Sequence, residues 1–186
     1  MSNILSKVTA ALLAVLLLYF FPSMQTAKRQ DDVALLTSYR QIEQFVDAVR
    51  NKGYITPEMY SEFESELGAY FSGYEIEMEH RHKKYHPEYG DPADSSTFLG
   101  QYSVQYDAYY NNTIMEALFP ASNQTAAPDQ IQDRKYLLSA GDYFDVRVTP
   151  AESTASSILN RFLYGNGLKE IQVPLIYGGM VLNEDY

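Results

Sequence analysis

Val8-Thr9-Ala10-Ala11-Leu12-Leu13-Ala14-Val15-Leu16-Leu17-Leu18-Tyr19-Phe20-Phe21 is the stretch on which the fold turns. Extended to Ala27, it is a run without a single charged side chain. An α-helix rises 1.5 Å per residue, so about 20 such residues cross the roughly 30 Å hydrocarbon core of a bilayer. Val8, Leu12, Leu13, Val15, Leu16, Leu17, Leu18, Phe20 and Phe21 are the side chains that would face lipid. Tyr19, Phe20 and Phe21 come late in the run, where aromatic rings meet headgroups. Pro22 follows and is placed to bend the helix. The sequence therefore predicts a transmembrane anchor over 1–27 and a soluble domain over 28–186. A cleaved signal peptide competes with the anchor. Lys7 gives it only a thin charged region, and Phe21 and Gln25 stand where small residues are wanted, which leaves Ser23 to Ala27 as the one candidate cleavage region.

The charge falls entirely on the second part. Lys7 is the only charged residue before Lys28, so the 186-residue chain at −10 divides into an almost neutral anchor and a domain at −11. Phosphate binding needs clustered Lys and Arg, so nucleic acid is not expected as a partner. With no cysteine, disulfides, thiolate catalysis and Cys-ligated zinc are excluded. At 14% aromatic residues the domain is expected to fold.

Asp31 to Arg50 reads as an amphipathic helix, with Val33, Leu36, Tyr39, Ile42, Phe45, Val46 and Val49 on one stripe. It is placed to continue the membrane helix. Asn51 to Gly53 ends it. Thr56-Pro57-Glu58 opens a second helix, which carries Met59, Phe63 and Leu67 and stops at Gly68. Tyr74, Ile76 and Met78 alternate with Glu75, Glu77 and Glu79, a half-buried strand with an acidic solvent face. Lys84 to Ser103 reads as a long loop, with Pro87, Gly90, Asp91 and Pro92 as breakers. Thr113 to Phe119 suggests one or two helical turns, and Ala121 to Gln132 a polar loop.

Lys135 to Leu138 and Tyr143 to Val148 flank Ala140-Gly141-Asp142, the pattern of a hairpin. Phe144, Val146 and Val148 share one face of the second of these strands, and Pro150 ends it. Ser153 to Tyr164 predicts a last helix with Ile158, Leu159, Phe162 and Leu163 inward. Ile171, Val173 and Leu175 predict a last strand, with a bulge or bend at Gly178-Gly179. With few βαβ units, the expected fold class is α+β: a long N-terminal transmembrane and amphipathic helix packed on a small antiparallel sheet.

His80-Arg81-His82, with His86 four residues on, offers alternating imidazoles on a strand, a pattern able to hold a metal. Arg81, Lys83 and Lys84 lie among them, and Glu77 and Glu79 point to the other face. A solvated strand end is therefore the expectation, with no metal ligand. Asp142 reads as a turn residue. Ser153, Ser156 and Ser157 lack a Gly-x-Ser-x-Gly setting, and Gly165-Asn166-Gly167 follows a helix instead of opening one. No residue carries a catalytic or cofactor assignment. Of the 17 tyrosines, Tyr102, Tyr106, Tyr109 and Tyr110 crowd one segment. Tyr is favoured at interfaces, so these four form a candidate interaction surface.

Three stretches carry a family resemblance: Phe45 to Tyr60, Tyr74 to His80, and Gly141 to Val148, with Tyr177-Gly178-Gly179-Met180-Val181 beside them. Together with the anchor they resemble the small membrane proteins of bacterial Tad (Flp-type) pilus clusters in Gram-positive bacteria. The resemblance implies a pilin-like or pseudopilin-like subunit without enzymatic activity, of the TadE-like accessory kind. It implies membrane lipid, other pilin-like subunits and an assembly platform as partners. It also implies that the domain of this single-pass chain lies outside the cell, whereas Lys28, Arg29 and Arg40 against Lys7 weigh toward the cytoplasm. Pilins usually carry a Gly before the apolar helix and a Glu five residues into it. Neither is present at Leu5 or in Val8 to Leu18, which favours an accessory role over that of a major pilin. A membrane-anchored binding module, using the Tyr-rich segment to hold a partner or glycan, is the alternative.

Overall fold

The computed structural model describes residues 2–71, 73–120, 134–150, 157–158, 161, 165 and 173–185. Among them the architecture is α+β, one very long helix laid against a small antiparallel sheet.

Helix α1 runs Ser2–Lys52 without a break and passes through Pro22. Its 51 residues make it about 76 Å long. Its C-terminal third enters the core, where Ile42, Phe45, Val46 and Val49 are buried. The earlier part of the expected stripe does not follow: Val33, Leu36 and Tyr39 remain exposed. Gly53 ends the helix with φ +75°, and its N–H donates to the Val49 carbonyl. This is the left-handed cap that glycine adopts without cost.

The short strand β1 (Tyr54–Ile55) leads into α2 (Pro57–Gly68). The Thr56 side chain accepts from the Met59 amide, as the sequence indicates. Helix α2 buries Pro57, Tyr60, Phe63 and Leu67, and the Phe63 ring stacks on Phe45 at 4.4 Å.

Strands β2 (Tyr74–Tyr89), β3 (Phe98–Tyr110), β5 (Tyr143–Pro150) and β6 (Leu175–Met180) form one antiparallel sheet in the order β3-β2-β5-β6. Helix α3 (Asn111–Leu118) follows β3 and buries Ile114 and Leu118. Strand β4 (Tyr136–Leu137) pairs with β1. Ile76, Met78, Phe144, Val146 and Val148 give the sheet one buried face, against α1 and α2. The alternation expected for Tyr74 to Glu79 and for Tyr143 to Val148 is present: the buried residues of the two strands pair directly, Ile76 with Val148 and Met78 with Val146.

Other expectations are corrected as well. The long loop over Lys84 to Ser103 is instead a ribbon, since β2 continues to Tyr89 and β3 begins at Phe98. Pro87 is tolerated there because it lies near the end of the pairing, where the register shifts. The hairpin around Ala140-Gly141-Asp142 does not form as a strand pair. A turn is present, but β4 leaves it toward β1 and β5 toward β2 and β6. The last strand begins at Leu175, so Val173 precedes it and Ile171 lies outside the described residues. Of the last expected helix, Ser157, Ile158 and Arg161 are described and helical; Ile158, expected inward, is exposed and Ser157 is buried, while Leu159, Phe162 and Leu163 lie outside the described residues.

Gly178 and Gly179 make no bulge, because β6 pairs with β5 in unbroken register. They are glycines because their neighbours cross over them. A Cβ on Gly178 would fall 1.8 Å from Asp145 Oδ1, and one on Gly179 would fall 2.8 Å from the Arg50 guanidinium carbon. Gly178→Ala is therefore expected to destabilise by about 1–3 kcal/mol, as overpacking does. Gly68→Ala, whose new methyl would meet only the Tyr74 hydroxyl at 3.6 Å, is expected to be neutral or to stabilise by up to about 1 kcal/mol. Urea unfolding of the two variants, read as a shift in midpoint, separates these outcomes.

Candidate functional site

Three features stand apart from the plain packing of the core. One is the N-terminal half of α1. Val8, Leu12, Leu13, Val15, Leu16, Leu17, Leu18 and Phe21 are exposed, and Phe20 is half-buried. The polar groups within and beside this segment are turned inward on the helix. Thr9 Oγ1 donates to the Leu5 carbonyl, Ser23 Oγ to Tyr19 and Thr26 Oγ1 to Pro22. Such back-bonding hides a hydroxyl from hydrocarbon. By length and composition this helix is able to cross a membrane, and a signal sequence near the N-terminus has the same character.

The second feature is the uncovered face of the sheet. Strand geometry divides the Tyr102 to Tyr110 segment between two faces. Tyr102, Tyr106 and Tyr110 are exposed on the face away from α1, with Val104 among them. Tyr106 meets Tyr143 edge-on at 5.7 Å, and Tyr143 lies under the Arg81 guanidinium at 5.1 Å. Tyr109, expected in the same surface, points to the opposite face, where it stacks on His80 at 5.6 Å. The period of two separates an odd-numbered residue from three even-numbered ones.

The third is a buried cluster that the sequence does not announce. Alternation along β2 carries His80 onto the core face beyond Met78, and His82 follows it. Strand β5 pairs with β2 as far as Arg81 opposite Tyr143. One residue further along this pairing, Asp142 comes opposite His82. Gly141, at φ +92°, turns the chain so that the Asp142 amide donates back to the Ser139 carbonyl at 3.0 Å. The Asp142 carboxylate then lies inside the protein, 1% exposed.

Four donors surround it. Oδ1 accepts from the Lys83 backbone amide at 2.8 Å, and Oδ2 from the Ser139 amide at 2.8 Å. His80 Nε2 lies 2.9 Å from Oδ2, and His82 Nδ1 lies 3.0 Å from the same oxygen. The Tyr136 hydroxyl sits 2.7 Å from His80 Nδ1. Burial holds His80 below its ordinary value of 6.5, against the opposing pull of Asp142, so the ring is neutral near pH 7. Burial also pushes the Tyr136 phenol up to about 12, so it stays protonated and donates. These two facts fix the tautomer: His80 accepts at Nδ1 from Tyr136 and donates from Nε2 to Asp142. For Asp142 itself, burial works to raise the carboxyl. The bonds from His82, Lys83, His80 and Ser139 outweigh it and leave the group below its ordinary 3.8.

The expectation of a solvated strand end is thus overturned at His80, which is 4% exposed, and partly at His82, whose side chain is 33% exposed. His86 remains on the exposed ribbon, away from the pair. An acid does join the histidine face, and it comes from a turn 60 residues distant in sequence instead of from β2. Asp142 is a turn residue as read, but its carboxylate is spent on this cluster. His-x-His on a strand, with Gly-Asp at the start of another, is the only trace of the arrangement in the sequence. Of the charges expected to repel a cation, Arg81 and Lys83 lie on the other face, Arg81 paired with Asp145 and Lys83 over the Tyr85 ring at 4.9 Å, while Lys84 shares the histidine face and is paired there with Asp107.

No family model, curated protein or solved structure matches this chain.

Both shifts bear on stability in the same direction. A depressed His80 contributes most above its unfolded value of 6.5 and loses that contribution as the pH falls from there toward its folded value. A depressed Asp142 does likewise below 3.8. The urea midpoint is therefore expected to be lower at pH 5.5 than at 7.5; an unchanged or higher midpoint at 5.5 would contradict a neutral, buried His80. Asp142→Ala, which strips four donors of a buried acceptor, is expected to cost about 3–5 kcal/mol in the same measurement.

Proposed function

We propose that the chain is a non-enzymatic, membrane-anchored, pilin-like accessory subunit of a Tad or type IV-like pilus or secretion assembly, its domain outside the cell. One observation carries this reading. A single unbroken helix serves two environments: its N-terminal half is bare and apolar, and its C-terminal third is the spine of an antiparallel domain. A bare apolar helix in water is unfavourable by roughly 25 cal/mol for each Å² of exposed apolar surface. Lipid removes that cost, and so do the apolar helices of neighbouring subunits in a fibre. A rigid helix bridging both settings is what a subunit moving between bilayer and assembly requires. Lipid and like subunits are therefore the proposed partners, and no cofactor enters this role.

A membrane-anchored binding module is the second reading. The uncovered aromatic face of Tyr102, Val104, Tyr106 and Tyr143 favours it, since Tyr gives contact area at low entropic cost. Helix α1 plays the same anchoring part in both.

Sidedness and retention of the N-terminus test the first reading. Intact mass of the chain extracted from its native membrane is expected to include Met1 or Ser2. Protease added to whole cells is expected to remove the domain. A mature chain beginning between Ser23 and Lys28 would mean a cleaved leader, and a domain protected in whole cells but cut in lysed ones would place it in the cytoplasm. For the second reading, replacing Tyr102, Tyr106 and Tyr110 together by Ala should abolish retention on a glycan array while leaving the unfolding midpoint within about 0.5 kcal/mol.

A further inference from the structure

We propose that His80, His82 and Asp142 form a binding site for one divalent transition-metal ion of the zinc type. The donor atoms already converge. Asp142 Oδ2 lies 2.9 Å from His80 Nε2 and 3.0 Å from His82 Nδ1, and all three side chains bring a ligand atom within 4.8 Å of one another. Two imidazoles and a carboxylate are a set that zinc takes with nitrogen and oxygen contacts of about 2.0–2.2 Å. A fourth position for water would open on the side of His82, which is the member of the three that reaches solvent.

The convergence of two ring nitrogens on one buried carboxylate is the argument for an ion. That one oxygen faces His80 Nε2, His82 Nδ1 and the Ser139 amide, all within 3.0 Å. His82 Nδ1 straddles the two oxygens, lying 3.1 Å from Oδ1 as well, so four N–H donors engage the four lone-pair sites of one carboxylate. A single dication between Oδ2 and the two ring nitrogens replaces two of those hydrogens with one shared charge. The proton balance closes at the rings and in the solvent beside His82. At His80 the ring proton moves from Nε2 to Nδ1, where the Tyr136 oxygen, 2.7 Å away, accepts it. At His82 the ion takes the place of the Nδ1 hydrogen, the ring proton stays on Nε2, and any further proton passes to solvent through the exposed side of the ring. The outer partners a metal site needs are also present: Tyr136 orients His80, and the amides of Lys83 and Ser139 hold the carboxylate. Asp142 supplies one negative charge in a buried setting; Arg81 is drawn to Asp145 on the other face, and the charge of Lys84 is balanced by Asp107 on the histidine face.

The site is independent of the role proposed for the helix. Its test uses the full-length chain in detergent, stripped with EDTA and titrated with ZnCl2, and separately with CoCl2. The wild type is expected to take up one Zn2+ per chain with a rise in melting temperature, and Co2+ to give the visible absorption of a four-coordinate site. His82→Ala, whose side chain is partly exposed and whose fold is checked by circular dichroism, is expected to lose more affinity than the roughly 10–100-fold that removal of an outer partner costs. Tyr136→Phe is expected to fall within that range. His86→Ala, four residues along the exposed ribbon, should bind as the wild type does. The proposal is overturned if the wild type takes up no stoichiometric Zn2+, if His82→Ala binds it as tightly, or if His86→Ala is the variant that loses it.

Discussion

The last turn of α1 ends against the C-terminal segment, with Val49 and Gly53 buried and Asn51 and Lys52 exposed, and its carbonyls have no partners within the helix. An α-helix leaves its final carbonyls unpaired, and a buried end without substitutes would be costly. Here the chain supplies one of them from the adjacent Gly53 and the rest from far away in sequence. The Val49 carbonyl accepts from Gly53, the Arg50 carbonyl from Leu182, the Lys52 carbonyl from Asp185, and the Gly53 carbonyl from Leu138. Arg50 adds a bond of its own from Nε to the Met180 carbonyl. The end of the sheet and the end of the helix are thus one structure. Gly53 has to be glycine twice over: its φ is +75°, and a Cβ there would come within 2.3 Å of the Asn183 carbonyl oxygen. The C-terminal segment is consequently a structural part of the domain, since without it the helix that organises the core would end in unsatisfied carbonyls.

This fixed end gives the other half of α1 its meaning. The helix is held where Ile42, Phe45, Val46 and Val49 pack on Phe63 and Phe144, and from there it extends as a rod. Pro22 removes one backbone hydrogen bond from that rod but does not break it. The carbonyl it frees is that of Leu18, and the flanking hydroxyls of Ser23 and Thr26 bond the Tyr19 and Pro22 carbonyls, four residues back. A membrane would cover about 30 Å of the roughly 76 Å length. The exposed Val33, Leu35 and Leu36 lie on the stretch between, and Tyr39 marks its end, where its ring meets Tyr177 of the domain edge-on at 6.1 Å. In an assembly of parallel helices they would be the next surface to pack.

Much of the fold was legible because its signals are local. The apolar run, the Thr56-Pro57 start, Gly53 and Gly68 as stops, and the alternation from Tyr74 to Met78 each need only neighbouring residues, and each matches the structure. What failed needed partners. Lys84 to Ser103 reads as loop because Lys84, His86, Gln101 and Ser103 supply no apolar alternation. A ribbon without a covered face has no reason to alternate, and its strands pair through backbone bonds alone. Leu175 to Met180 is obscured by its two glycines, which are required by Asp145 and Arg50 crossing overhead. Asp142 was the largest omission. Its role depends on a register between strands more than 50 residues apart, and a Gly-Asp dipeptide signals only the turn.

That register also explains why a charged group is buried at this point and no other. Strand β2 has neighbours on both sides from Glu79, where β3 joins it, to Arg81, where the pairing with β5 ends opposite Tyr143. Beyond it β2 is left with β3 alone, a two-stranded ribbon exposed on both faces. Such a ribbon is marginal unless its base is secured. At the boundary the Lys83 amide faces the side that β5 has just vacated, and it would be the first ladder donor left without an acceptor. Asp142 Oδ1 takes it at 2.8 Å. The same residue's backbone carbonyl accepts from Val181, so one amino acid joins the ribbon, the turn and the segment that caps α1. A neutral side chain could bridge two of these groups. Four converging donors, two of them imidazoles, call for a full negative charge, and they stabilise it well enough that its burial is a gain in definition at the place where the sheet changes from four strands to two.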